Sequence, residues 1–292
     1  MTAIPERNRP GPWRQELHAF VRAFSGAFLF GIPLLFTMEM WWIGTYAEVW
    51  KLLVFLAVAF GVNLGLTYFT GFKHQRAGFA HTLNQTIDTV AVGAVASTVV
   101  LLALNRISLG DPLDSILGKI IVQTVPLSIG AAVANAVFAP GQSRHSQEPG
   151  LGAGDAGGGS WRATLNDLGA TVAGGIFVGF SVAPTEEIPL LARSLDYPHA
   201  LALIGLSLVL TYGIVFASGF DPDRSAGQGE GPFQRPVTET VVAYLVSLLV
   251  ALAALILFNQ IAAGDPLADI VAQTLVLGLA TGVGGAAGRL VI

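Results

Sequence analysis

An all-α membrane protein of eight transmembrane helices, built as two parallel-oriented four-helix repeats, is the fold this sequence predicts. Three observations lead there. Apolar stretches of bilayer-crossing length recur along the chain, Lys and Arg sort onto alternate connections, and landmarks of the first half return in the second. A helix needs about 20 apolar residues to cross a bilayer. Eight stretches qualify, at residues 20–38, 52–70, 87–105, 116–139, 165–183, 200–220, 240–258 and 270–292. Composition agrees: 53% of the 292 residues are hydrophobic and 12% charged, about half the charge of a soluble domain, and the mean hydropathy is +0.64.

Residues 1–19 read as a cytoplasmic N-terminal tail. They carry Arg7, Arg9 and Arg14 and lead into a full-length span without a small-residue cleavage site, so a permanent first helix is expected. Residues 20–139 form the first repeat, with Gly31, Pro33 and Pro126 inside spans, where neighbouring helices can re-satisfy the freed backbone. Residues 140–163 form a Gly/Pro-rich cytoplasmic linker, and residues 164–292 the second repeat. With the N-terminus inside, Arg7, Arg9, Arg14, Arg22, Lys73, Arg76, Arg144, Arg162, Arg224, Arg235 and Arg289 fall on inner segments. Only Lys51, Arg106, Lys119 and Arg193 fall on outer ones. That asymmetry follows the positive-inside rule, and an even span count returns the C-terminus to the cytoplasm.

The repeat can be followed residue by residue. Asn105, Gly110-Asp111-Pro112-Leu113 and Ile116 recur 154 positions later as Asn259, Gly264-Asp265-Pro266-Leu267 and Ile270. Earlier in each half the offset is 148, carrying Gly26, Gly31, Thr37 and Glu39 onto Gly174, Gly179, Thr185 and Glu187. The longer connection at 221–235 supplies the six-residue difference. Two even-numbered halves share one orientation, as in parallel-repeat transporters, where the substrate path lies at the repeat interface.

The candidate site is acidic. Glu39 and Glu187, with Thr37, Thr185 and Glu186 beside them, sit at the outer ends of the first and fifth spans, where a carboxylate ending a helix opposes its dipole. Pro184 and Pro189 bracket Glu187 and interrupt the helix, a construction used for ion sites. Glu48 with Asp196 and Asp111 with Asp265 add a secondary acidic rim. Carboxylates near a bilayer line cavities or meet partners, and oxygen ligands suit hard cations. The bland alternatives stand beside this. Gly-Asp-Pro-Leu is also a turn and helix N-terminus with Asp as cap, Trp41, Trp42 and Trp50 read as interfacial anchors, and Glu239 as a residue snorkelling toward water.

Two functions remain open. One is a transporter or channel for a cation using the pseudo-symmetric acidic site; the metal or ion is left unnamed. The other is a scaffold, sensor or partner subunit whose outer acidic face binds a protein or peptide. An enzyme is not expected, since no phosphate loop, HExxH pair or nucleophile elbow is present. No cofactor is implied, and with no basic patch there is no nucleic-acid partner. The bilayer is the partner the composition demands. Gly284 and Gly288 carry a close-packing spacing that allows a homo-oligomer, although packing within the bundle is its first expected use.

Thr37-Met38-Glu39-Met40-Trp41, together with Pro184-Thr185-Glu186-Glu187-Ile188-Pro189, resembles an uncharacterised family of bacterial integral membrane proteins, classed only as a domain of unknown function. The resemblance covers nearly the whole chain. It implies a multi-pass protein of the bacterial inner membrane and supplies no activity.

Overall fold

Apolar sequence in a bilayer satisfies its backbone internally, and helices are one of the two ways of doing so. The computed structural model describes residues 12–72, 79–137, 159–217, 236–262 and 264–291. Among these there are ten α-helices and no strand: α1 Pro12–Leu35, α2 Met38–Tyr46, α3 Val49–Phe72, α4 Phe79–Ala103, α5 Leu113–Val137, α6 Gly159–Val182, α7 Glu187–Arg193, α8 Tyr197–Tyr212, α9 Pro236–Leu257 and α10 Leu267–Val291. Seven are long and apolar enough to cross a membrane, and α6 with α7, bent by 90°, forms an eighth candidate.

Several expected boundaries shift. The first expected span, residues 20–38, breaks between Leu35 and Met38, so α2 is a separate short helix. Helix begins at Pro12 inside the expected tail, and at Gly159 inside the expected linker. The rest of that linker, the connection at 221–235 and residues 1–11 lie outside the described residues. α8 runs into a π-helical turn, Gly213–Ala217; α3, at the matching place, stays α-helical.

Each half runs long, short, long, long, long. Packing pairs recur as well: α1–α5, α2–α5, α3–α5, α4–α5, α1–α4 and α3–α4 in one half, and α6–α10, α7–α10, α8–α10, α9–α10, α6–α9 and α8–α9 in the other. The halves meet where α1 packs on α10 and the π turn, and α4 on α8. Helices α4 and α9 turn stripes of small and hydroxyl residues inward: Thr82, Thr86, Thr89, Gly93, Ala96 and Ser97 on α4, and Thr240, Ala243, Ser247, Ala251 and Ala254 on α9. Between lipid-embedded helices there is little hydrophobic drive, so small residues that permit close approach supply the contact. The buried hydroxyls of Thr86 and Ser247 bond to the carbonyls four residues back, at 2.8 and 2.9 Å.

Both α4 and α9 stop by the same device. Asn105 and Asn259 take left-handed φ of 54° and 55°. The following amides reach back to Leu101 O and Leu255 O, at 2.8 and 2.9 Å, closing a Schellman-type end. Asn is, after glycine, the residue that tolerates that conformation best.

Candidate functional site

The site grows out of the two helix breaks. After Leu35 the chain makes a tight turn and Thr37 goes extended, φ −89° and ψ 115°, which ends α1 and restarts the helix at Met38. A broken helix orphans carbonyls on one side and amides on the other. The Trp41 indole N–H donates to Leu35 O at 3.2 Å. The Met38 amide donates to Glu187 Oε1 in a long hydrogen bond of 3.4 Å. Glu187 belongs to the other break. There Pro184 disfavours helix at Ala183, and Pro189 in the first turn of α7 needs no amide partner.

Glu39 lies in the first turn of α2 and Glu187 in the first turn of α7. Both therefore begin short helices, where a carboxylate is favoured by the dipole, rather than ending long ones; apolar sequence running across the break hid this. Glu39 and Glu186 are exposed, while Glu187 is half-buried at the junction. Thr37 and Thr185 donate backward, to Pro33 O at 3.3 Å and Val182 O at 2.7 Å, and cap nothing. Glu48 is exposed, 3.8 Å from Lys51, and accepts from the Trp50 indole. Asp196 is exposed ahead of α8, with no side-chain cap bond. Asp111 and Asp265 accept from amides three residues earlier, Ser108 at 3.1 Å and Ala262 at 2.8 Å. They close their loops rather than cap α5 and α10. Trp42 and Trp50 are exposed as anchors should be, but Trp41 is 3% exposed. Among the described residues no three His, Asp or Glu side chains converge as metal ligands.

Beside the first break lies a polar cavity of about 330 Å³, lined by Trp41, Trp42, Thr45, Tyr46, Asn105, Arg106, Asp111, Lys119 and Leu190. The Arg106 guanidinium sits 5.3 Å over the Trp41 ring and donates to Ser194 Oγ; Asn105 Nδ2 donates to Ser194 O at 2.6 Å. Burial lowers the Arg106 pKa from its ordinary value, yet a guanidinium starts so high that it stays charged. Lys119 Nζ donates to Arg106 O at 2.8 Å and stands 3.9 Å from Asp111. Neither Glu39 nor Glu187 lines this cavity.

A second polar cluster, at the opposite end, was not singled out from sequence. Arg289, 1% exposed near the end of α10, pairs with Glu239 at the start of α9 and with Asp167 on α6 at 3.6 Å. Its guanidinium is also 5.9 Å from the Phe216 ring on the π turn. Glu239 therefore does not simply snorkel. The available signal was one cation and two carboxylates near span ends, but their sequence separation gave no spacing to recognise.

A family model for integral membrane proteins, DUF2391, matches residues 19–292. No curated protein and no solved structure matches the chain.

Proposed function

The chain belongs to this family of integral membrane proteins, and we propose that it is a transporter or channel for a small cation, built as two parallel repeats around Glu39 and Glu187. The observation that carries the reading is the meeting of the two breaks: the Glu187 carboxylate from one half takes the Met38 amide of the other. Discontinuous helices joined at a repeat interface are a recurrent way to build an ion path. The recurrence of element order and packing pairs across the halves supports the parallel arrangement.

Proteoliposome flux against a panel of monovalent and divalent cations is the test. Half-buried Glu187 feels a lower dielectric than exposed Glu39. Glu187→Gln is therefore expected to reduce flux by about tenfold, and Glu39→Gln by less. Undiminished flux in the folded double variant would remove the pair from the path. One observation favours the second reading, a partner-binding face: Glu39, Glu48, Glu186 and Asp196 are exposed together with Trp42, Trp50 and Tyr197. Absence of flux with specific capture of a peptide would decide for it.

The proposed location is the bacterial inner membrane with both termini cytoplasmic. The chain has no cysteine, so single cysteines report cleanly. Cysteine at Leu109, fully exposed in the α4–α5 loop, is expected to react with an impermeant maleimide from outside. Cysteine at residue 150 is expected to react only after permeabilisation. The reverse pattern would invert the topology.

A further inference from the structure

We propose that the cavity beside the first break binds a small organic anion, a carboxylate carried on an aromatic or apolar body. This goes beyond the cation path and does not depend on it. The lining supplies two cations, Arg106 and Lys119, against one carboxylate, Asp111. Trp41, Trp42, Tyr46 and Leu190 give the remaining wall an apolar and aromatic face. A volume near 330 Å³ is that of a small-molecule pocket, and its lining, more polar than apolar, suits a ligand recognised chiefly through its charged group. Arg106 is held in place, stacked on Trp41 and bonded to Ser194, and its buried Nε finds no partner among the described residues. A fixed guanidinium beside an ammonium is a carboxylate-binding arrangement.

The two cations also serve structure, Lys119 by holding Arg106 O and Arg106 by holding Ser194. Yet the loop does not need them. At the 154-residue offset the second half carries Gln260 and Gln273 in their places. It nevertheless keeps the left-handed Asn259, the Gln260 amide bond to Leu255 and the closing bond from Ala262 to Asp265. Positive charge has been placed on only one of two equivalent loops, and that loop borders the cavity.

The test is a fluorescence titration of the full chain in phosphatidylcholine nanodiscs, using Trp41 and Trp42 as reporters. Sodium benzoate is the probe, with benzamide as its neutral counterpart at constant ionic strength. Benzoate is expected to give a saturable change that benzamide does not. Arg106→Gln and Lys119→Gln should each weaken it by about tenfold, and the glutamines of the second half indicate that both fold. Asp111→Asn keeps an oxygen for the Ser108 amide but removes the opposing charge, so it should tighten binding severalfold. A merely structural cluster would be loosened by all three changes. Equal responses to benzoate and benzamide, unchanged binding in both Gln variants, or weaker binding in Asp111→Asn would each overturn the proposal. So would an Arg106-dependent response to added phosphatidylglycerol with none to benzoate, since the occupant would then be a lipid headgroup.

Discussion

Arg289→Met is expected to lower the thermal unfolding midpoint of the purified protein by well over 5 °C and to reduce the folded yield. The Arg289 side chain is almost fully buried between Glu239 and Asp167, which are 18% and 28% exposed. Removing one member of a buried ion pair leaves the others charged where charge is poorly solvated, at a cost of about 3–5 kcal/mol. Local fields favour the native arrangement further: Arg289 lies in the last turn of α10 and Glu239 in the first turn of α9, each at the helix end that suits its sign. Arg289→Lys should recover only part of the loss, because an ammonium is a single point of charge and cannot replace the fork. Arg289→Met combined with Glu239→Gln should be less damaging than the sum of the two changes, with a coupling above about 1 kcal/mol. A wild-type midpoint in Arg289→Met, or strict additivity in the double variant, would show that the pairing contributes nothing to the fold.

Much of the bundle is legible because hydropathy and turn chemistry are local. The Asn-to-Gly-Asp-Pro loops announce themselves twice, and their asparagines do take the left-handed conformation that the residue type suits. Residues 35–38 are different. The sequence is apolar on both sides of the break, so a hydropathy window passes over it. The proline at 33 lies inside α1 rather than at its end. Trp41 is obscured for the same reason: an indole near a span end suggests an interface, and only the break makes Leu35 O available to take it into the interior.

The chemistry was less legible than the scaffold, and the reason is sequence distance. Glu187 meets an amide 149 residues away, and Asp167, Glu239 and Arg289 are brought together by three helices. No spacing rule reaches across such separations. Equivalence between the halves misled as well, because it draws attention to residues that repeat. The buried or cavity-lining cations do not repeat. Arg106 and Lys119 correspond to Gln260 and Gln273, and Arg289, Glu239 and Asp167 correspond to Asn135, Gln85 and Ala19. The similar loops and close-packed glycines serve the scaffold, while the two polar clusters lie at different ends of the bundle.

Those glycines give the second large effect. Gly174→Ala is expected to cost several kcal/mol and in practice to abolish the folded, monodisperse protein. A Cβ at Gly174 would run into the Gly284 carbonyl oxygen and stand 2.9 Å from Gly288 Cα. The obstacles are backbone on a neighbouring helix, so relief requires α6 and α10 to separate along their contact. Overpacking in a tight core typically costs about 1–3 kcal/mol where side chains can yield, and here they cannot. Gly26, the corresponding residue of α1, would meet Ala134 Cβ and lie 3.3 Å from Gly130 O, so Gly26→Ala should be damaging but less so. Gly61 and Gly205 provide the opposite sign. A Cβ at either meets nothing within 4 Å, and alanine is better than glycine in a helix by up to about 1 kcal/mol, so both substitutions should be neutral or stabilising. The same set separates the two uses of the Gly284–Gly288 spacing. If it joined two copies of the chain, Gly174→Ala would leave the monomer folded and only alter its association. Intact thermal stability of Gly174→Ala with a changed oligomeric mass would therefore refute packing of α6 on α10 as the reason for these glycines, whereas collapse of the monomer itself is the expected result.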